Sequence, residues 1–530
     1  MKSTPLSLIA GTVALAAVTG FAAFNAPGGT APATTTSASR LPVERSSLLC
    51  PAPSDSELAE TAYTSYTPAG KGAGGESSAE LKETRAATDD GTTGKSDKGS
   101  TTDKDTKTDK DTKTDKDAKT DEDAKAGADG AEKTVVALKE AGKPVTADAD
   151  GADAPALVGT ATGALAPGWS AQQTTSVTAG STRGLLGVSC TAPDTEFWFP
   201  GVSTAAKAQD YIHLTNPDGS AAVVDIQLFG PDGDLKADVG DGIAVPAHSS
   251  VAMLLSTLTA EAVDDATAHV TTRSGRVGAV VRGAREDSGS DWLTASADPS
   301  ATVVLPGIPA DATSVQLIAY APGEDDADVK VQLIGKSATF APAGNDTLHV
   351  KSGMTASVDL KNVTRKEPGS LRLTPVEGGR ATPIVAALRV VRGTGSAQEI
   401  AYIPATRPVG ARASVADNRA KGSTLSLVAP GATAQVKVTA SAGSEGGEQT
   451  VKSYTVKGGT TLAFTPPVPS GLKGSYALTV ETESGGPVYA ARTLALPEDG
   501  VQMFTVQTLP DDRGTVEVPA AVQDLTVLDD

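Results

Sequence analysis

One phrase recurs along this chain, and any fold it adopts must accommodate that phrase several times. The stretch DYIHLTNPDGSAAVVDIQLFGPDG, from Asp210, comes back as VQLIAYAPGEDDADVKVQLIG from Val315 and as STLSLVAPGATAQVKVTASAG from Ser423. In the first copy Ile212 and Leu214 alternate with polar neighbours, and beyond a Pro-Asp-Gly turn Val224, Ile226 and Leu228 alternate with Asp225 and Gln227. A period of two predicts strands with one buried face, and Pro217-Asp218-Gly219 predicts that the two runs form a hairpin. A weaker copy, ETAYTSYTPAGKG from Glu60, reads as having lost its second strand to an insertion.

Matching tags surround these copies. An apolar-Pro-small segment opens each repeat: Leu48 to Ala52, Phe197 to Gly201, Val303 to Gly307 and Ala401 to Ala405. Short runs close them, GLLGVSC from Gly184, VGAVVR from Val277, PIVAALR from Pro383 and PVYAAR from Pro487, with a polar turn and a further strand in between. About seven strands in roughly 95–110 residues is the density of an immunoglobulin-like sandwich. The expected fold is therefore all-β, with tandem immunoglobulin-like β-sandwich domains at 41–192, 193–290, 298–395 and 398–530, the last with a C-terminal extension. Aromatic residues make up only 4%, so the cores must be filled by Val, Leu, Ile and Ala.

Three segments lie outside this grammar. Residues 1–25 carry the apolar run Leu6 to Phe24, an export signal long enough either for a cleaved peptide or for an uncleaved anchor helix, and its length favours the anchor. Residues 26–40 read as a flexible tether. Residues 71–130, with TDKDTK at Thr102 and Thr108 followed by TDKDAK and TDEDAK, read as a disordered, sign-alternating insertion in the first repeat.

Export makes the two cysteines informative. An even count in an oxidising compartment predicts a Cys50–Cys190 disulfide joining the first and last strands of repeat one across the insertion. A net charge of −19 argues against nucleic acid and anionic membrane surfaces as partners. His213, His248, His269 and His349 lack metal-ligand spacing, and His213 falls on the polar side of its strand. Asp148, Asp150 and Asp153 surround Gly151 like a calcium loop but lack its distal glutamate, so an ordinary acidic turn is expected. No catalytic motif, cofactor or metal is called for. Trp198 reads as core or domain junction. Trp292, in the connector between repeats two and three, is the candidate partner contact, since tryptophan is enriched in binding hot spots. Arg282, Arg389 and Arg492, recurring at the ends of closing strands, are expected to be solvated.

The export segment, LLCPAPSDSELAE, GLLGVSCTAPDTEFWFPG and DYIHLTNPDGSAAVVDIQLFG together resemble an uncharacterised family of exported actinobacterial proteins, domain of unknown function 5719. The resemblance covers nearly the whole chain from Leu48 and implies a compartment and a fold type, with no catalytic or binding residue to transfer. The resulting expectation is a non-enzymatic, secreted or membrane-anchored scaffold or adhesion protein of the cell envelope that binds an envelope protein or a cell-wall polymer. A wall-glycan binder is the first alternative and a hydrolase on a β-scaffold the second.

Overall fold

In each repeat the alternating residues commit two runs of chain to opposite sides of one core. In repeat two, Ile212, Leu214, Val224, Ile226 and Leu228 are all 1% exposed or less and belong to a single apolar cluster. The two runs nevertheless do not form the expected hairpin. Tyr211–Asn216 pairs with Ser249–Leu254 and Gly278–Arg285, whereas Ala222–Gly230 pairs with Ala266–Ser274 and two short edge strands. The Pro-Asp-Gly turn is thus an arch between two sheets, which lets both buried faces look into the same core. Asn216 holds it: its side-chain amide donates to Ser220 O at 2.8 Å and Val245 O at 3.0 Å, and its oxygen accepts from Asp218 N at 3.0 Å. Alternation reports one buried face but not which partner strand lies beside it, so arch and hairpin look alike in sequence.

The structure is a computed structural model and describes residues 39–70, 74–86, 133–237, 239–498 and 500–519. It is all-β, with no α-helix among the described residues. The expected N-terminal export or anchor helix at 1–25 and most of the 26–40 tether lie outside them. Among those described, no helix is long and apolar enough to cross a membrane. A two-stranded sheet joins Ser39–Pro42 to Thr515–Val518. Residues 42–515 group as one unit made of four sheet pairs.

All four pairs share one strand order. One sheet carries the first and third strands of the repeat, and the other carries the second, penultimate and last. Repeat one keeps this order, so its third strand is not lost. Ser78–Glu83, which the sequence reading placed inside the disordered insertion, is that strand, and Ala79 and Leu81 are 1% exposed in the core. The insertion falls after it, and the hexads at 102–125 lie outside the described residues.

Two further strand assignments change. Glu399–Pro404, read as the opening of repeat four, pairs with Val385–Arg392 and ends the third sheet pair, with Ala401 and Ile403 in that core. Repeat four instead opens at Arg412–Asn418, and Phe504–Thr508, read as part of an extension, is its last strand. Trp292 belongs to a strand, not a connector: Gly289–Leu293 is the last strand of repeat two.

The pairs are not beads on a string. Ala387, Ile400 and Tyr402 of the third pair complete the core of the second, and Ala491, Phe504 and Val506 of the fourth complete the core of the third. The fourth returns to the first, where Leu185 packs with Leu494 and Met503, and Tyr66 packs with Ala416 and Ala477. The four last strands, Gly184–Ser189, Gly289–Leu293, Glu399–Pro404 and Phe504–Thr508, touch one another in a closed cycle.

Candidate functional site

Where the four last strands meet, the centre is filled by polar groups. Asp291, in strand Gly289–Leu293, is completely buried. Its Oδ1 accepts from Gly187 N at 3.1 Å, and the Thr505 hydroxyl donates to Oδ1 and Oδ2 at 3.0 Å each. Gln507 Nε2 donates in turn to Thr505 Oγ1 at 2.7 Å. Burial pushes the Asp291 carboxyl well above the usual range, opposed by hydrogen bonds from the Trp292 and Gly187 backbone and Thr505. Glu399, also completely buried, is pushed up to about 8 by burial, which Arg183 at 3.2 Å offsets only in part.

One place on this axis carries no side chain. Counted from the Thr67-Pro68, Asn216-Pro217 and Ala321-Pro322 steps that end the second strands, Thr174 of repeat one holds the register of Arg282 and Arg389. Opposite Arg282 and Arg389 stand Trp292 and Tyr402, and Gln507 stands opposite Arg492. Opposite Thr174 stands Gly187. A Cβ on Gly187 would lie 2.2 Å from Gln507 Nε2 and 2.6 Å from Thr505 Cγ2, so the position must remain glycine for the strands to close. A cavity of about 850 Å³ opens beside repeat one. It is lined by Trp169, Gln172, Ser189, Trp292 and Gln507 among others, with Cys190 in its wall.

Three of its lining residues have buried polar atoms that lack partners. Ser189 Oγ donates to Gln172 Oε1 at 3.1 Å, and Gln172 Nε2 has no partner. Gln507 Oε1 and Trp292 Nε1 also have none. These residues are 1%, 5% and 2% exposed, respectively. Buried polar atoms are normally satisfied, and one left unmade costs about 1–3 kcal/mol. Charge around the wall is nearly balanced, four arginines against five carboxylates; Arg407 pairs with Asp298 within the wall, and Asp512 pairs with Arg412 outside it.

The cysteines form the Cys50–Cys190 disulfide, with a Cα–Cα distance of 4.5 Å. A disulfide of this kind belongs to an oxidising, extracytoplasmic environment. Trp292 is 2% exposed, so it is not a surface contact. Its ring meets His213 edge-on at 5.0 Å. His213 is buried rather than on a polar face, because strand Tyr211–Asn216 runs between two others and is covered on both sides. Burial, with Arg282 nearby, pulls its pKa down to about 3 and keeps it neutral. His269 stacks on Trp198 at 3.6 Å and bonds Glu196 at 3.0 Å, while His349 bonds Asp328 at 2.8 Å. Trp198 also stacks with Tyr320, 5.5 Å away in the third pair. Asp148 and Asp150 lie in the strand Val145–Asp150. Among the described residues no group of three or more His, Cys, Asp or Glu could hold a metal ion.

The recurring arginines are not solvated. Arg282, 4% exposed, forms two bonds to Asp55 of repeat one at 2.8 and 3.1 Å, and Arg389 reaches Asp265 of repeat two at 2.6 Å. Arg492 is completely buried without a hydrogen-bond partner. They sit in the middle of the ring because the strands read as closing each repeat are followed by one more. Gln172, Asp291 and Gln507 were missed in the sequence. A signal existed for the first: repeat one carries Gln172-Gln173 where repeat three carries the apolar Ala387-Leu388.

A family model described as a family of unknown function (DUF5719) matches residues 145–467. The chain belongs to the DUF5719 family. No curated protein matches it significantly. The DUF5719 match takes in Gln172, Gly187, Asp291 and Trp292 but ends before Thr505 and Gln507, so the last strand that completes the cavity lies beyond the matched stretch.

Proposed function

We propose that this member of DUF5719 is a non-enzymatic, extracytoplasmic binding protein of the cell envelope, whose four immunoglobulin-like modules build one ligand cavity where their last strands meet. The observation that carries this reading is the cavity of about 850 Å³, together with the unpartnered polar atoms of Gln172, Gln507 and Trp292 among its lining residues. That volume falls within the about 300–1,000 Å³ common for ligand sites. The disulfide supports the compartment. Trp292, the contact expected from sequence, fits a cavity ligand better than a docked protein surface because it is buried.

The test is native mass spectrometry of the full, disulfide-bonded protein after incubation with envelope extract, beside a Gln172→Leu/Gln507→Leu variant. A small molecule retained by the wild type and lost by the folded variant is the expected result. Retention of intact protein partners alone, unchanged in the variant, overturns the cavity as the binding site.

A further inference from the structure

The last strand of repeat one is held to its neighbours by small apolar clusters and by one buried acid. The core of the second pair is completed by the third, and that of the third by the fourth. Strand Gly184–Ser189 instead meets the second pair through Leu186 and Val188 against Trp292 and Val280, and the fourth through Leu185 against Leu494 and Met503. Between these contacts stands Asp291, which receives Gly187 N at 3.1 Å and the Thr505 hydroxyl at 3.0 Å. One carboxyl thus ties the first, second and fourth pairs together.

Its proton decides which bonds are made. Protonated, Asp291 donates to Thr505 Oγ1, which also accepts Gln507 Nε2 at 2.7 Å; both lone pairs are then filled, and the Thr505 proton goes to Gly187 O, 3.5 Å away. Ionised, Asp291 takes the Thr505 hydroxyl as its donor, the bond to Gly187 O is withdrawn, and a charge is left in a completely buried place. The surroundings oppose that charge. Glu399 of the third pair brings a second carboxyl, held by Arg183 at 3.2 Å, and Tyr402 lies on the same strand. Arg492 of the fourth pair attracts the anion without a hydrogen bond to it, and Arg285 and Arg389 are already paired with Asp210 and Asp265. Burial, with Glu399 added, outweighs the donors and holds the Asp291 carboxyl well above its ordinary range.

We propose that the ring is a pH-sensitive closure: it is shut while Asp291 carries its proton, and strand Gly184–Ser189 parts from the second and fourth pairs when that proton is lost. Because Asp291 binds its proton more tightly in the closed ring, its contribution to closure is present in full below the ordinary carboxyl value of 3.8 and is lost as pH rises through the raised one. Gly187 and Ser189 of the parting strand line the cavity, so the closed ring keeps that wall complete. The closure does not depend on what the cavity holds.

The experiment is hydrogen–deuterium exchange of the full, disulfide-bonded protein at about pH 6 and about pH 9, with rates corrected for the chemical dependence of exchange on pH. The expected result is a fall of at least about tenfold in the protection of Gly184–Ser189, above all the Gly187 amide, at the higher pH, with strand Tyr211–Asn216 inside the second pair unchanged. Asp291→Asn, which cannot ionise, removes the fall. Where that variant fails to fold, two others move the transition in opposite directions: Glu399→Gln, by removing a like charge, to lower pH, and Thr505→Val, by removing a donor to the anion, to higher pH. Protection that does not change with pH, a fall that persists in Asp291→Asn, or transitions unmoved in the other two variants overturns the proposal. Equal loss of protection in Tyr211–Asn216 also overturns it, since the whole protein then unfolds rather than one strand parting.

Discussion

Where the fourth sheet pair meets the third, Phe504 and Val506 sit in the third core beside Leu305 and Leu388. Where the same fourth pair meets the first, hydroxyls do much of the joining. Tyr66 bonds Thr479 at 3.3 Å, and Thr146 bonds Ser475 at 3.0 Å. Only small apolar groups, Tyr66 with Ala416 and Ala477 and Leu185 with Leu494 and Met503, accompany them. The first kind of junction draws on apolar burial, which is strong and tolerant of direction. The second depends on bonds worth about 1 kcal/mol each that require correct register. A ring needs both: three continuous apolar joints can form in chain order, and a directional seam specifies how the ends meet. The cavity opens beside that seam, where repeat one supplies a polar strand.

Phe504→Ala should have the largest effect, about 3–5 kcal/mol of destabilisation by urea unfolding, since it empties the third core and removes the ring under Arg392. A loss near zero would mean that the third and fourth pairs are stable independently and that the apolar joint is not what holds them.

Glu399 joins the third pair to the first through its 3.2 Å contact with Arg183. Its carboxyl is raised to about 8 in the folded protein against an ordinary 4.5, so the folded state binds the proton more tightly than the unfolded one. Stability from this group is fully present below the ordinary value and is lost as pH rises toward the folded value. The melting temperature should therefore fall between about pH 5 and pH 8, and Glu399→Gln should make that fall shallower. Buried Asp291, shifted in the same direction, leaves a residual slope. An unchanged profile would show that Arg183 keeps Glu399 ionised throughout.

Tyr66→Phe tests the seam itself and should cost the least, about 1 kcal/mol, by removing one hydroxyl bond while keeping the ring beside Ala416 and Ala477. A cost matching that of Phe504→Ala would erase the distinction between the two kinds of joint.

Strand content was legible because Ile212, Leu214, Val224, Ile226 and Leu228 repeat at a period only a strand can use. The Cys50–Cys190 pair was legible because both cysteines fall at repeat ends. The partner of each strand was not: the arch at Asn216 and the last strand Glu399–Pro404 both satisfied the wrong reading as well as the right one. Trp292 was singled out for its residue type, but its place depends on Leu186 and Val188, more than a hundred residues away in the chain. Gln507 carried no local signal at all.

By itself, then, the amino-acid order determined that the chain is all-β, that its strands repeat as four related sets, and that two cysteines close the first set. Those properties follow from side-chain periodicity and from residue counts, which are local. Only the tertiary structure decided that the sets close into a ring, that Arg282 and Arg492 are buried and Arg389 pairs with Asp265, and that a cavity lies beside Trp292. Those outcomes depend on which distant strand edges meet, and backbone hydrogen bonds between strands carry no record of their partner in the residues that make them.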